Sequence, residues 1–220
     1  MTVIEFNFND DWMGEISRRL GGLNDKTPDV ISQATNSTAR KARKLIVQSL
    51  REHYAEDAKT KEYNAAMKIA RASRKKYDAT IYIRGKVQNL RRFNVSPKDP
   101  PASGSSRPPT TRAQVLLQGG LKELNKGGIK AFITTFKNGD VVVAQRNGSF
   151  YTYHRPTGGI DRHHEAIDKL WSISIPKMAE SQLDPKTVRG NMRDTIQAIL
   201  VEEIEKQIAR QLAKHGGNAG

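Results

Sequence analysis

The chain has no cysteine at all. That single absence removes disulfides, thiolate metal sites and cysteine nucleophiles, and it fits folding in a reducing compartment. Long apolar runs are missing too: no stretch of about 18 apolar residues exists, so no membrane-spanning helix is expected. The first ten residues are mixed and acidic, unlike a secretory leader. Gly119-Gly120 and Gly127-Gly128 lack the Lys-Ser/Thr ending of a phosphate loop and the strand–helix setting of a dinucleotide fingerprint. A Gly-x-Ser-x-Gly nucleophile elbow is absent, and so is any internal repeat. Neither an enzymatic activity nor a cofactor is expected on these grounds.

What is present is positive charge, unevenly spread. Lys and Arg number 37 against 23 Asp and Glu, a net +14. Residues 1–29 carry 3 basic against 6 acidic side chains, residues 40–92 carry 16 against 5, and residues 161–220 balance at 9 against 9. A chain basic in its middle attracts polyanions, nucleic acid included, in a salt-dependent way. With 36% hydrophobic residues over 220 positions, it also has enough apolar material to bury a core.

Periodicity sets out the elements. Trp12, Ile16 and Leu20 predict a short helix that begins at Asp10-Asp11 and stops at Gly21-Gly22. Pro28 suits the first turn of a long helix whose buried stripe is Ile31, Ala34, Thr38, Ala42, Leu45, Ser49 and His53, widened by Ile46 and Leu50. A third helix is expected over residues 64–74, capped by Asn64, with Met67, Ile69 and Ala70 half in the core. Residues 79–84 alternate as a strand, with Ile81 and Ile83 on one face, and residues 87–93 continue or pair with it. Residues 96–111, rich in Pro, Ser and Gly, read as a long loop of functional character.

Residues 114–118 predict a strand, and residues 129–136 and 140–146 a hairpin around Lys137-Asn138-Gly139, with a type I′ turn. Asn147-Gly148 then predicts a second turn into a third meander strand at Phe150, Tyr151 and Tyr153. After Pro156 and Gly158-Gly159 the chain is expected to return to helix. Asp184-Pro185 should open the last and strongest one, with Val188, Met192, Ile196, Leu200, Ile204, Ile208 and Leu212 inward and Glu202, Glu203, Glu205, Lys206 and Arg210 in water, before Gly216-Gly217 ends it. Helices, then a mainly antiparallel sheet with a β-meander, then helices make an α+β fold packed by long N- and C-terminal helices. The expected divisions are an N-terminal arm with a short helix (1–28), an α+β domain (29–215) and a flexible tail (216–220).

Two groups of side chains invite a functional reading. His163, His164 and Glu165, near His154, have metal-ligand chemistry. On a helix, however, adjacent histidines diverge, and the His-Glu-x-x-His spacing is absent, so ordinary surface histidines are the better account. Among the basic residues, Arg40, Lys41, Arg43, Lys44, Arg71, Arg74, Lys75, Lys76, Arg91 and Arg92 are candidates to face DNA or a neighbouring subunit. No RNP-like aromatic spacing, zinc finger or helix-turn-helix accompanies them, so they are not expected to read sequence.

Certain segments in order are familiar. Ala39, Ala42 and Leu45 lie on the long helix, Tyr63-Asn64 precedes a short one, and a strand follows at residues 79–85. Gly128-Ile129-Lys130-Ala131-Phe132-Ile133 leads to the Lys-Asn-Gly-Asp turn and a Val-rich strand ending in Arg146; Ser174-Ile175-Pro176-Lys177-Met178 precedes the terminal helix. In this order the chain resembles the siphophage minor tail protein Z family and, more distantly, the wider tail completion and neck group, over residues 29–212. It departs from the pattern at residues 96–111 and 150–164. The resemblance implies a non-enzymatic virion protein, assembled in the host cytoplasm. It further implies a homo-oligomeric, hexameric ring at the head–tail junction. Its partners would be the tail terminator or tail tube protein and the head connector or stopper protein, with genomic DNA in the channel and no membrane. A non-sequence-specific DNA-binding accessory protein is the alternative, and a metal nuclease built on His163 and His164 a remote third.

Overall fold

The computed structural model describes residues 1–6, 10–57, 60–102, 109–153, 162–183 and 192–215. Its contacts divide the chain into two compact units, Met1–Leu50 with Lys59–Lys86 and Ser174–Gly220, and Arg51–Ala58 with Val87–Ile173. The class is α+β, as the order of periodicities requires.

In the first unit, strand β1 (Thr2–Phe6) leads to helix α1 (Asp10–Leu20), a 3-10 turn, and helix α2 (Thr27–His53), whose last three residues fall in the other unit. Helix α3 (Thr60–Ala66) runs into strand β2 (Met67–Ala70), and β3 (Ala79–Ile83) lies between β1 and β2, antiparallel to both. Met67, Ile69 and Ala70 are therefore strand, not helix. In register with Ile83, Ile81 and Thr80 they gain a ladder, and Met67 and Ile69 share with Ile83 and Ile81 an apolar face that a helix would have split. Strand β1, in the segment read as an arm, is held the same way, with Ile4 opposite Ile81.

Helix α4 (Ile175–Leu183) and helix α5 (Met192–His215) complete this unit. Buried Ile16 and Leu20 of α1, Val30, Ile31 and Ala34 of α2, and Ile204 and Ile208 of α5 form one cluster. Full burial of each large side chain stabilises by roughly 1.5–3 kcal/mol. The buried face of α5 is not the one expected. Ile196, Glu203, Ile204, Gln207, Ile208 and Gln211 are buried, while Leu212 is 40% exposed. A row at every fourth residue drifts about 40° per step on a helix of 3.6 residues per turn. By Leu212 the row has left the buried side, and Glu203, Gln207 and Gln211 take its place. Ser49 on α2 donates a buried hydrogen bond of 2.8 Å to Gln182 Oε1 on α4.

The second unit is built from small sheets. Strand β4 (Val87–Asn89) and a 3-10 turn precede β5 (Asn94–Ser96), which pairs with β6 (Arg112–Gln114), and β6 with β7 (Lys122–Glu123). The strand expected at residues 114–118 thus lies earlier, and Leu117–Gly119 is a 3-10 turn. Strands β8 (Asn125–Lys126) and β9 (Ile129–Lys130) form a hairpin. Strands β10 (Phe132–Thr135), β11 (Val141–Tyr153) and β12 (Arg162–Lys169) form an antiparallel meander. Strand β13 (Trp171–Ser174) pairs with β4.

Two turns differ in kind from the expectation. Gly139 has φ +82°, but no non-glycine residue among those described has positive φ, so Asn138 cannot take part in a type I′ turn. Gly139 N–H donates to Phe136 O at 2.9 Å, which makes a type I turn closed by a left-handed glycine. Asn147-Gly148 is not a turn: β11 runs through it, and the register with β12 shifts between Arg146 and Phe150. The third meander strand is β12, so His163, His164 and Glu165 lie on a strand where helix was expected. The expected helix opening at Asp184-Pro185 with Val188, its stop at Gly216-Gly217, the break at Pro156 and Gly158-Gly159, His154, and residues 103–108 of the expected loop lie outside the described residues.

Candidate functional site

The ten basic candidates do not share one environment. On α2, Arg40 and Lys44 are exposed, while Lys41 bridges to α5, with Glu203 at 2.7 Å and Glu202 at 3.6 Å. Glu203 is 2% exposed. Burial pushes its carboxyl up, but hydrogen bonds from Lys41 and Ser37 and the charges of Lys41 and Lys206 outweigh that and hold it below its ordinary value. The same hydrogen bond raises the Lys41 ammonium. Lys41 therefore ties two helices together, and Glu203, expected in water, is inside. Arg43 is half-buried, and its Nε is enclosed without a hydrogen-bond partner among the described residues.

Arg71, Arg74, Lys75 and Lys76 sit on the connection from β2 to β3. Ser73 N–H donates to Lys76 O at 2.6 Å and Lys76 N–H returns to Ser73 O at 3.2 Å, closing a tight turn. Asn36 of α2 pins this loop with two bonds: its Nδ2 donates to Ala72 O at 3.0 Å, and Ala72 N–H donates to its Oδ1 at 2.9 Å. Arg74 adds an ion pair to Asp29, 3.1 Å away. Arg71, Lys75 and Lys76 remain exposed.

Arg91 and Arg92 belong to the second unit. Arg91 lies 3.6 Å from Asp99, and Arg92 Nε 3.3 Å from Glu56, whose side chain is fully buried. Asp57 N–H donates to Arg92 O at 2.6 Å, so Arg92 anchors the chain that leaves α2. These two are spent largely on internal pairs.

Histidines 163 and 164 face opposite sides of β12. Thr152 Oγ1 lies 3.0 Å from His163 Nδ1, and the His164 ring stacks on Tyr151 with centroids 5.7 Å apart. Among the described residues no group of three His, Asp or Glu side chains could hold a metal ion. A groove of about 730 Å³ in the first unit is lined by Ile4, Phe6, Trp12, Leu183, Ile196 and Leu200. The charged groups at its edge are already engaged, Glu180 with Lys177 at 3.1 Å and Arg193 with Leu183 O at 3.0 Å.

Sequence reasoning overlooked one surface. Beyond Ala144, where β10 ends, β11 and β12 continue as a two-stranded ribbon. Phe150 is 71% and Tyr151 55% exposed on it, on opposite faces. A two-stranded ribbon is marginal by itself, and exposed aromatics on unpaired strands mark contact surfaces. The signal was the adjacent Phe150-Tyr151 pair, which puts one aromatic on each face of any strand.

Comparison with known proteins adds a family. The model for prophage minor tail protein Z (GPZ) matches residues 15–215. No curated protein and no solved structure matches the chain. The matched span takes in the second half of α1, the α2–loop lock, the meander with its ribbon, and α4 and α5. With that span covered, the chain belongs to the prophage minor tail protein Z family and is a structural protein of the phage tail.

Proposed function

We propose that this protein completes the tail: copies of it close a sixfold ring at the head–tail junction. The ring sits between the tail terminator or tail tube protein and the head connector or stopper protein, and genomic DNA passes through it. It works by fitting surfaces together and has no catalytic centre. The observation that carries this reading is the β11–β12 ribbon. Phe150 and Tyr151 stand in water on its two faces, and both outer edges beyond Ala144 lack a strand partner among the described residues. Burying such a ribbon against a neighbour supplies the apolar contact and edge pairing it lacks. A ring interface is heterologous, so each copy must present two different surfaces, which suits a protrusion of this kind.

Electron microscopy of particles assembled without the protein is the test. Separate heads and tails are expected; joined, infectious particles would overturn the reading. The exposed cations of the first unit favour one other reading, a DNA-binding accessory protein outside the virion. Copies of the chain in purified virions separate the two, since an accessory protein would be missing from them.

A further inference from the structure

The cations of the first unit come from two stretches distant in sequence. Residues 30–50 contain four basic and no acidic side chains, and residues 63–77 contain five basic and again no acid. Folding places the two side by side, because Asn36 holds Ala72 through two hydrogen bonds and Asp29 holds Arg74. One helical turn beyond Asn36 is Arg40, about 6 Å along the axis, and Lys44 lies about 6 Å further. The strip carrying them is bounded on one side by the pinned loop and on the other by the Lys41–Glu203 tie to α5.

We propose that the β2–β3 loop and this outer strip of α2 form one surface that binds the phosphate backbone of double-stranded DNA through Arg40, Lys44, Arg71, Lys75 and Lys76. The inference rests on the reading that DNA passes through the assembled protein, and it assigns the side chains that meet it. All five are exposed, and none has an acidic partner among the described residues. Of the four other cations in these two stretches, Lys41 pairs with Glu203, Arg74 pairs with Asp29 and Arg43 has its Nε buried, while Lys68 is exposed on β2.

Charge of one sign also fits an acidic protein or a lipid surface, and the apolar residues decide against both. Protein docking relies on buried aromatic or aliphatic anchors, and membrane docking on an apolar face. None of the large hydrophobic residues exposed among those described falls within residues 30–50 or 63–77. A cationic surface without apolar anchors suits phosphates, whose neutralisation releases counterions. The surface lies on a helix flank and a tight loop pinned at two points, and its one nearby half-buried aromatic, Tyr77, packs against the core. It tracks backbone and does not read sequence.

Binding of the full chain to two 30-base-pair duplexes of unrelated sequence, followed by fluorescence anisotropy at several salt concentrations, tests this. Five phosphate contacts give a slope of about −4.5 in log K against log salt, so affinity falls about 500-fold between 50 and 200 mM. Lys75→Gln with Lys76→Gln leaves three contacts, and the fall shrinks to about 40-fold. Arg40→Gln with Lys44→Gln does the same from the helix side. Lys122→Gln with Lys126→Gln, exposed in the second unit, leaves the slope unchanged.

The inference is overturned by any of three results: no binding at 50 mM salt, equal slopes for all variants, or a tenfold preference for one duplex. Head–tail joining is a separate readout. Duplex binding of this form by a protein whose loss still yields joined particles would keep this surface and remove the tail-completion reading.

Discussion

Ile204 gives the sharpest check on how the terminal helix packs. It is 1% exposed and touches a cluster made by three helices, with Ile16, Leu20, Val30, Ile31, Ala34 and Ile208. Ile204→Ala deletes three carbon groups, at about 0.8 kcal/mol each in lost transfer energy, or roughly 2.4 kcal/mol. The space left, on the order of 80 Å³, adds about 2 kcal/mol more if the surrounding helices do not collapse into it. The expected loss is therefore about 2.5–4.5 kcal/mol, a fall in Tm of roughly 5–15 °C for a chain of this size. Leu212→Ala is the comparison. Both residues lie on the same every-fourth-residue row, but Leu212 is 40% exposed, so its truncation should cost below about 1 kcal/mol. Urea unfolding followed by far-ultraviolet circular dichroism measures both. Equal losses for the two variants would refute the drift of the row off the buried side, and with it the inward placement of Glu203, Gln207 and Gln211.

Three further outcomes follow from the same contacts. Glu203 has a folded-state pKa held below its ordinary value, so its contribution is present above the unfolded value of about 4.3 and is lost as pH falls through the folded value. Lys41→Met should therefore destabilise more at pH 7 than at pH 3.5, and more than Lys44→Met at pH 7; matching pH profiles for the two variants would count against the tie. Gly139→Ala forces a side chain into φ +82° and should cost about 1–2 kcal/mol in thermal unfolding, whereas a silent substitution would contradict the left-handed glycine. Asn36→Ala leaves the Ala72 N–H and C=O without their partner and should cost about 1–2 kcal/mol, with faster hydrogen exchange at Ala72. An unchanged exchange rate there would show that the loop is not pinned by α2.

How far the amino-acid sequence alone reaches can be judged element by element. Helical spacing located α1, α2 and α5, because an apolar stripe at 3.6-residue period has few other ways to be buried. Alternation located β3, and the Lys-Asn-Gly-Asp segment located the β10–β11 hairpin, since glycine after a short polar turn is a local requirement. The family was legible as well, from the order of modest motifs between residues 29 and 212. Local pattern failed where pairing or packing chose. Met67–Ala70 is too short for its period to distinguish helix from strand, and only the ladder to β3 settles it. Asn147-Gly148 has turn chemistry, yet β11 continues through it because β12 is there to pair on the far side.

Charge shows the division most plainly. Composition and sequence order establish that the middle of the chain is basic, and they make ten of its side chains candidates to face DNA or a neighbouring subunit. Which of them remain in water is decided by tertiary contacts: Glu203 on α5 takes Lys41, Asp29 takes Arg74, and Glu56 takes Arg92, each from a distant or unpredictable position. The physical reason is range. Periodicity and turn chemistry act between near neighbours and are written in the local sequence, whereas ion pairs, ladder partners and exposed faces depend on which elements meet in space.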